Sequence, residues 1–308
     1  MWVDSRSRLY FSTGNQSWGN YDPSIYGHIY YYDPLSGFGE LKNWKLQEPR
    51  AIELGQCLPH QQQCFFSDDR GNIYRFDDSK PSWSYLGQVK TVPAEIFSFN
   101  VSADGKNAYL VTSSLGPIPP DSKKPNLLYE FDLTTKTTRK LASLSDLDPK
   151  LALSNRHTGY NAWDSDGRFY FTSFASYHGI DKISIANRQN AIVTRIDPVR
   201  LKVALGLLPS LTEVTVEKSP QTDKPGFIFT RKGNTKTAQE IIYKLFIVET
   251  NESTQERYGK ITIPAGVSSA TVLKQQLQKG NTLKSGMLTI IPNGNNYVVG
   301  TKRSLNFY

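Results

Sequence analysis

Two stretches of this 308-residue chain can be laid one on the other. They are FNVSADGKNAYLVTS from Phe99 and YNAWDSDGRFYFTSF from Tyr160. Each holds a short strand, a tight turn closing on Asp-Gly, and a second strand rich in aliphatic or aromatic residues. The glycine supplies the positive φ that such hairpin turns require. A hairpin cannot bury both its faces alone, so a chain that repeats one must stack the copies and build its core between them. That constraint outweighs length, which fits two ordinary domains or one large all-β domain equally well.

Read in order, the units have four strands, A to D. B is small or aromatic, C often ends in Asp, and D alternates polar and apolar residues. Unit one has the end of A at Met1 to Asp4, B at Leu9 to Gly14, C at His28 to Asp33 and D at Leu41 to Leu46. Unit two has A at Ala51 to Cys57, B at Cys64 to Asp68, C at Asn72 to Asp77 and D at Trp83 to Val89. Unit three has A at Ile96 to Ser102, B at Ala108 to Ser113, C at Leu127 to Leu133 and D at Thr138 to Leu144. Unit four has A at Gly159 to Asp164, B at Arg168 to Phe174, C at Ala191 to Asp197 and D at Lys202 to Leu207. Unit five has A at Leu211 to Lys218, B at Gly226 to Arg231, C at Ile241 to Glu249 and D at Gly259 to Pro264.

The stretch Gly266 to Ser285 breaks the rhythm and reads as a short helix or an extended excursion. Met287 to Pro292, Tyr297 to Lys302 and Ser304 to Tyr308 then read as A, B and C of a sixth unit without a D strand. The expectation is an all-β β-propeller of four-stranded antiparallel blades, five clear and a sixth partial, forming one domain over 1–308. Too few residues precede Asp4 to complete the sixth blade, so either the closing blade is incomplete or the chain is a piece of a longer protein. No amphipathic pattern persists long enough for a major helix, and no apolar run is long enough for a membrane span.

The pairs SRLYFSTG with GHIYYYDPLSG and NIYRFDD with SWSYLGQV resemble β-propeller proteins, notably the gluconolactonase-like and related groups, over nearly the whole chain. The resemblance implies the fold. The blade pattern is shared by families with unrelated chemistry, among them propeller polysaccharide lyases, so it implies no single reaction. LYFSTGNQSW is similar to a segment of quinoprotein alcohol dehydrogenases, but their repeated tryptophan docking motif is missing. A two-sheet sandwich would not explain five recurrences of one four-strand unit.

The net charge of +8 attracts anions, but Lys and Arg are scattered rather than gathered in a stripe. That speaks for an acidic carbohydrate partner and against nucleic acid. Cys57 and Cys64 bracket the loop LPHQQQ and meet across it if their flanking strands are antiparallel neighbours. A disulfide there fits a periplasmic or secreted protein. Two half-buried thiols in a cytoplasmic hairpin is the other reading, and no signal peptide precedes Trp2. Asn15, Asn100 and Asn251 open N-x-S sequons that carry no weight in a bacterial chain. Phosphate-loop, nucleophile-elbow, zinc-helix and C-x-x-C motifs are all missing. Asp164 to Gly167 lacks the later Glu of an EF-hand and reads as a hairpin turn.

In a propeller the D-to-A and B-to-C connections reach one face and strand A lines the channel. Residues before A strands are therefore the first candidates: Arg50, Glu95, Arg156, His157 and Lys284, with Tyr160 and Asn161 opening an A strand. The long connection Asn15 to Gly27 adds Trp18 and Tyr21, and Ala175 to Asn190 adds Tyr177 and His178. Aromatic rings set beside Arg, His and Asn form a wall on which sugar rings stack. Three functions follow. A uronate lyase would use Arg156 to neutralise the substrate carboxylate and His157, His178 or Tyr160 as base or acid, with no cofactor required. A metal-dependent lactonase would use Glu95 and Asn161 but lacks a third ligand at an equivalent place. A non-catalytic platform for protein or glycan needs no particular residue.

Overall fold

The computed structural model describes residues 2–4, 6–13, 28–41, 52–68, 71–79, 82–89, 94–114, 127–149, 156–174, 191–221, 225–277 and 283–307. The chain forms the four-stranded antiparallel sheets of a β-propeller and divides into two compact units. The first is Met1–Ala162 with Phe169–Arg195, and the second is Trp163–Arg168 with Ile196–Tyr308.

The first unit is a series of meanders. One sheet joins β1 (Trp2–Val3), β2 (Leu9–Thr13), β3 (His28–Asp33) and β4 (Gly37–Glu40) in chain order. The next joins β5 (Ile52–Leu58), β6 (Gln63–Asp68), β7 (Asn72–Asp77) and β8 (Ser82–Gln88). A third joins β9 (Ala94–Val101), β10 (Asn107–Ser114), β11 (Leu127–Asp132) and β12 (Thr137–Ser143). A three-stranded sheet follows with β13 (Arg156–Trp163), β14 (Phe169–Phe174) and β15 (Ala191–Ile196). The expected strands of units two and three are recovered to within two residues, and His28–Asp33 and Asn72–Asp77 match residue for residue. The D strand of unit one instead follows the Asp33 turn directly, at Gly37 rather than Leu41, because the tight turn leaves no residues for a longer connection.

The first strand of each meander is an edge strand, and β5 lies beside both β1 and β9. Gln56 on β5 fastens the second contact. Its Oε1 accepts the Val101 N–H at 2.7 Å, and its Nε2 donates to the Val101 carbonyl at 3.0 Å. Apolar side chains fill the space between sheets. Tyr10 and Ile29 meet Phe66, Tyr74 and Phe76, and Leu58, Phe65 and Ile73 meet Phe99, Leu110 and Phe131. Each fully buried Phe or Ile of this set contributes about 2 kcal/mol.

The Asp that ends strand C has a local task. Asp33 Oδ1 accepts from the backbone of Leu35 and Ser36, Asp77 Oδ1 from Ser79, and Asp132 Oδ1 from Thr134 and Thr135. These Asx turns reverse the chain into strand D. The backbone bond from Leu35 holds the exposed Asp33 carboxyl below its ordinary pKa. After β15 the same device starts a helix. Asp197 accepts from the Arg200 N–H and Pro198 opens α2 (Pro198–Ala204), a strong helix-start pair. The strand expected at Lys202 to Leu207 is therefore corrected to helix and turn.

A second turn motif ties unit one to unit four. DSRSRLYF from Asp4 and DSDGRFYF from Asp164 match in register. In both, the Asp N–H donates to the Arg carbonyl four residues on, at 3.1 and 2.9 Å, and the Asp Oδ1 accepts the N–H groups two and four residues on. Gly167 has φ +80°, and a Cβ there would press on Pro292. Its counterpart Ser7 holds φ 62° with a Cβ. Ser7→Gly is accordingly expected to stabilise the fold by about 0.5 kcal/mol, the left-handed strain relieved less the added chain entropy, measurable by urea denaturation.

The second unit departs from the simple repeat. Its strands are β16 (Glu213–Lys218), β17 (Gly226–Lys232), β18 (Gln239–Glu249), β19 (Thr254–Ile263), β20 (Ser269–Leu273), β21 (Leu283–Ile291), β22 (Val298–Val299) and β23 (Ser304–Phe307). One sheet runs β20-β17-β16-β22 with a parallel β16-β22 pair, and the other runs β19-β18-β21-β23. The four strands of the expected unit five are thus shared between two sheets, and so are the three of unit six. β18 is hydrogen-bonded on both edges, to β19 and β21, which leaves β17 to take β20 instead. Gly266 to Ser285 yields both things read from it, a strand at Ser269–Leu273 and a short helix, α3 (Lys274–Leu277). Buried Arg231 binds the unit together by donating to the carbonyls of Val267, Thr237, Thr235 and Pro264.

Candidate functional site

The richest set of expected site residues falls on β13. The strand begins at Arg156 rather than Gly159, so Arg156 and His157 belong to it and share it with Tyr160 and Asn161. β13 is the edge strand of its sheet, in the place that β1, β5 and β9 hold in theirs. Glu95 lies on β9, near its start. Lys284 lies within β21 of the second unit, exposed, with its Nζ 3.4 Å from Glu252 Oε1. Arg50, Trp18, Tyr21, Tyr177 and His178 lie outside the described residues.

The leading strands carry further polar groups. Ser98 and Asn100 on β9 are wholly buried, with Asn100 Nδ2 donating to Ser98 Oγ at 2.9 Å. Asn100 Oδ1 accepts no hydrogen bond among the described residues. Counted back from the turn glycines Gly105 and Gly167, Asn100 stands five residues before its turn and Asn161 six, so each leading strand bears an amide near its end, one position apart. With Gln56 on β5, three leading strands bear a carboxamide. That recurrence was the signal available in the sequence.

The other two described histidines have structural partners. His60 Nε2 lies 2.5 Å from the Ala103 carbonyl, and exposed His28 pairs with Glu40 at 2.6 Å. The most shifted tyrosines are structural as well. Burial drives Tyr109 well above its ordinary pKa, with the Glu130 charge adding to it, and burial with the Asp4 hydrogen bond does the same to Tyr10. Neither is poised to exchange a proton near neutral pH. Among the described residues no group of three or more His, Cys, Asp or Glu is gathered to hold a metal ion, and no helix is long and apolar enough to cross a membrane.

No family model and no curated protein matches this sequence. Solved structures do. An oligogalacturonate lyase in complex with manganese aligns at 12% identity over 85% of this chain, with a TM-score of 0.38. The aligned part spans 65% of that enzyme's length. An oligogalacturonate lyase from Vibrio parahaemolyticus aligns at 10% identity over 99% of this chain and 75% of its own, with a TM-score of 0.36. The Cps50 (Swd1) β-propeller domain of Myceliophteria thermophila aligns at 11% identity over 91% and 76%, with a TM-score of 0.29. Similarity at this level adds no argument to the assignment, which rests on the sheets themselves: this chain has the fold of a β-propeller.

Proposed function

We propose that this chain is a carbohydrate-active propeller that binds an anionic, uronate-containing saccharide where its leading strands begin and cleaves it by β-elimination. The observation that supports this reading is the placement of Arg156 at the first residue of the edge strand β13, with His157, Tyr160 and Asn161 on the same strand. The net charge of +8 draws an acidic polymer to such a protein.

The chemistry follows from the residue types. A base removes the proton from the carbon α to the uronate carboxylate, and the electron pair forms a C4=C5 double bond as the glycosidic C4–O bond breaks. An acid protonates the departing oxygen. Charge builds on the carboxylate as it becomes enolate-like, and Arg156 offsets it. Tyr160 acts as base beside Arg156, and His157 or His178 supplies the acid. Trp18, Tyr21 and Tyr177 stack on neighbouring sugar rings, while Arg50, Glu95 and Asn161 hold their hydroxyls and carboxylates. The Cys57–Cys64 disulfide fits work in the periplasm or outside the cell.

The test is incubation with acidic polysaccharides, polygalacturonate first, without added metal. An unsaturated product absorbing in the near ultraviolet is expected. Retention of the polymer with no product from any of them would overturn the lyase reading in favour of a binding platform. A lactone hydrolysed only until a chelator is added would point to the lactonase.

A further inference from the structure

The disulfide occupies a position that gives it a second role. Cys57 and Cys64 are directly opposed on β5 and β6 and are joined, with Cys64 buried and Cys57 half-buried. The six-residue loop they close contains a single 3-10 turn, Pro59–Gln61. That loop reaches the next blade of the first unit. His60 Nε2 and Gln61 Nε2 both meet the Ala103 carbonyl, the latter at 3.0 Å, in the turn that follows β9. Gln56, next to Cys57, holds the Val101 N–H and carbonyl from the other side. Three side chains within four residues of Cys57 therefore make four polar ties between these two blades, and all grip the stretch Val101 to Ala103.

We propose that Cys57–Cys64 is a redox-controlled latch that holds the second blade to the third. Closed, the disulfide restricts the hairpin so that Gln56, His60 and Gln61 stay aimed at β9 and its turn. A dithiol reductant opens it. One reductant thiolate attacks the more accessible Cys57 sulfur, the bond to Cys64 breaks, and Cys64 leaves as a thiolate that takes a proton. The second reductant thiol resolves the mixed disulfide, releasing Cys57 as a thiol and leaving the reductant as its own cyclic disulfide. The loop then regains the freedom the crosslink removed. Because β9 is an edge strand, its Val101 N–H points out of its own sheet to Gln56, and it is the first group released.

Amide exchange measured by NMR on the intact chain, oxidised and after reduction with dithiothreitol, tests this. The Val101 amide is expected to exchange at least roughly tenfold faster in the reduced protein, while Leu128 and Phe131 in β11 keep their rates. The double variant Cys57→Ser, Cys64→Ser should match the reduced protein at Val101. Equal Val101 rates in the oxidised and reduced protein would overturn the latch. So would an acceleration of Val101, Leu128 and Phe131 by one common factor, since that reports general loosening rather than release of one contact.

Discussion

Arg156→Ala is expected to lower the turnover of an acidic saccharide about a hundredfold or more while leaving the unfolding midpoint nearly unchanged. A carboxylate that gains enolate character in the transition state carries more negative charge than the bound substrate does. A guanidinium beside it therefore stabilises the transition state more than the ground state, and its removal costs roughly 3 kcal/mol of barrier. The loss should appear in kcat more than in KM. Arg156→Lys should recover only part of it, because an ammonium cannot hold a carboxylate through two parallel bonds. Tyr160→Phe and His157→Ala then separate base from acid by which limb of the pH–rate profile each variant removes. Normal cleavage by both Arg156→Ala and His157→Ala variants would remove β13 from the site.

The match between sequence and structure is closest where pairing is local. β3 and β7 could be read to the residue because each ends in an Asp whose carboxylate caps the turn into the next strand. The meanders follow from such turns, since a short turn leaves a strand only its neighbour to pair with. In the second unit local signals of the same strength did not determine the partners. Nothing in Gly226–Lys232 says that it will pair with Ser269–Leu273, because that outcome depends on β18 having both edges occupied by β19 and β21. At α2 the cap signal of Asp197-Pro198 was present, and the expectation of a fourth strand overrode it. For the site, the β13 residues could be found by their place ahead of a repeated strand. The connections bearing Trp18, Tyr21, Tyr177 and His178 show neither period nor repeat, so the sequence does not aim those side chains. The motif shared by Asp4 and Asp164 is masked in the sequence because Ser7 stands where Gly167 does, and a serine does not advertise positive φ.

That motif supports the largest stability change expected here. Asp4 and Asp164 make the same backbone turn, but their surroundings differ. The Asp4 side chain is wholly buried, and its Oδ2 accepts from Arg8 Nε at 2.7 Å and from the Tyr10 hydroxyl at 2.8 Å, with Arg8 Nη2 an ion-pair neighbour at 2.6 Å. The Arg8 guanidinium also lies over the rings of Tyr10 and Tyr31. Asp4→Ala strands that cation and the tyrosine hydroxyl with no carboxylate and frees two backbone N–H groups. Breaking a buried pair from one side costs about 3–5 kcal/mol. At Asp164 the side chain is 24% exposed and Arg168 29%, their closest ion-pair approach is 3.9 Å, and Arg168 has Asp166 at 3.1 Å as a second partner. Water and Asp166 take over much of what Asp164→Ala removes, so its cost should be about 1 kcal/mol, that of the lost turn bonds. Denaturant unfolding of the two variants side by side measures the difference. Equal losses would show that the turn hydrogen bonds alone set the value of this Asp, and that the buried Arg8 and Tyr10 add nothing to it.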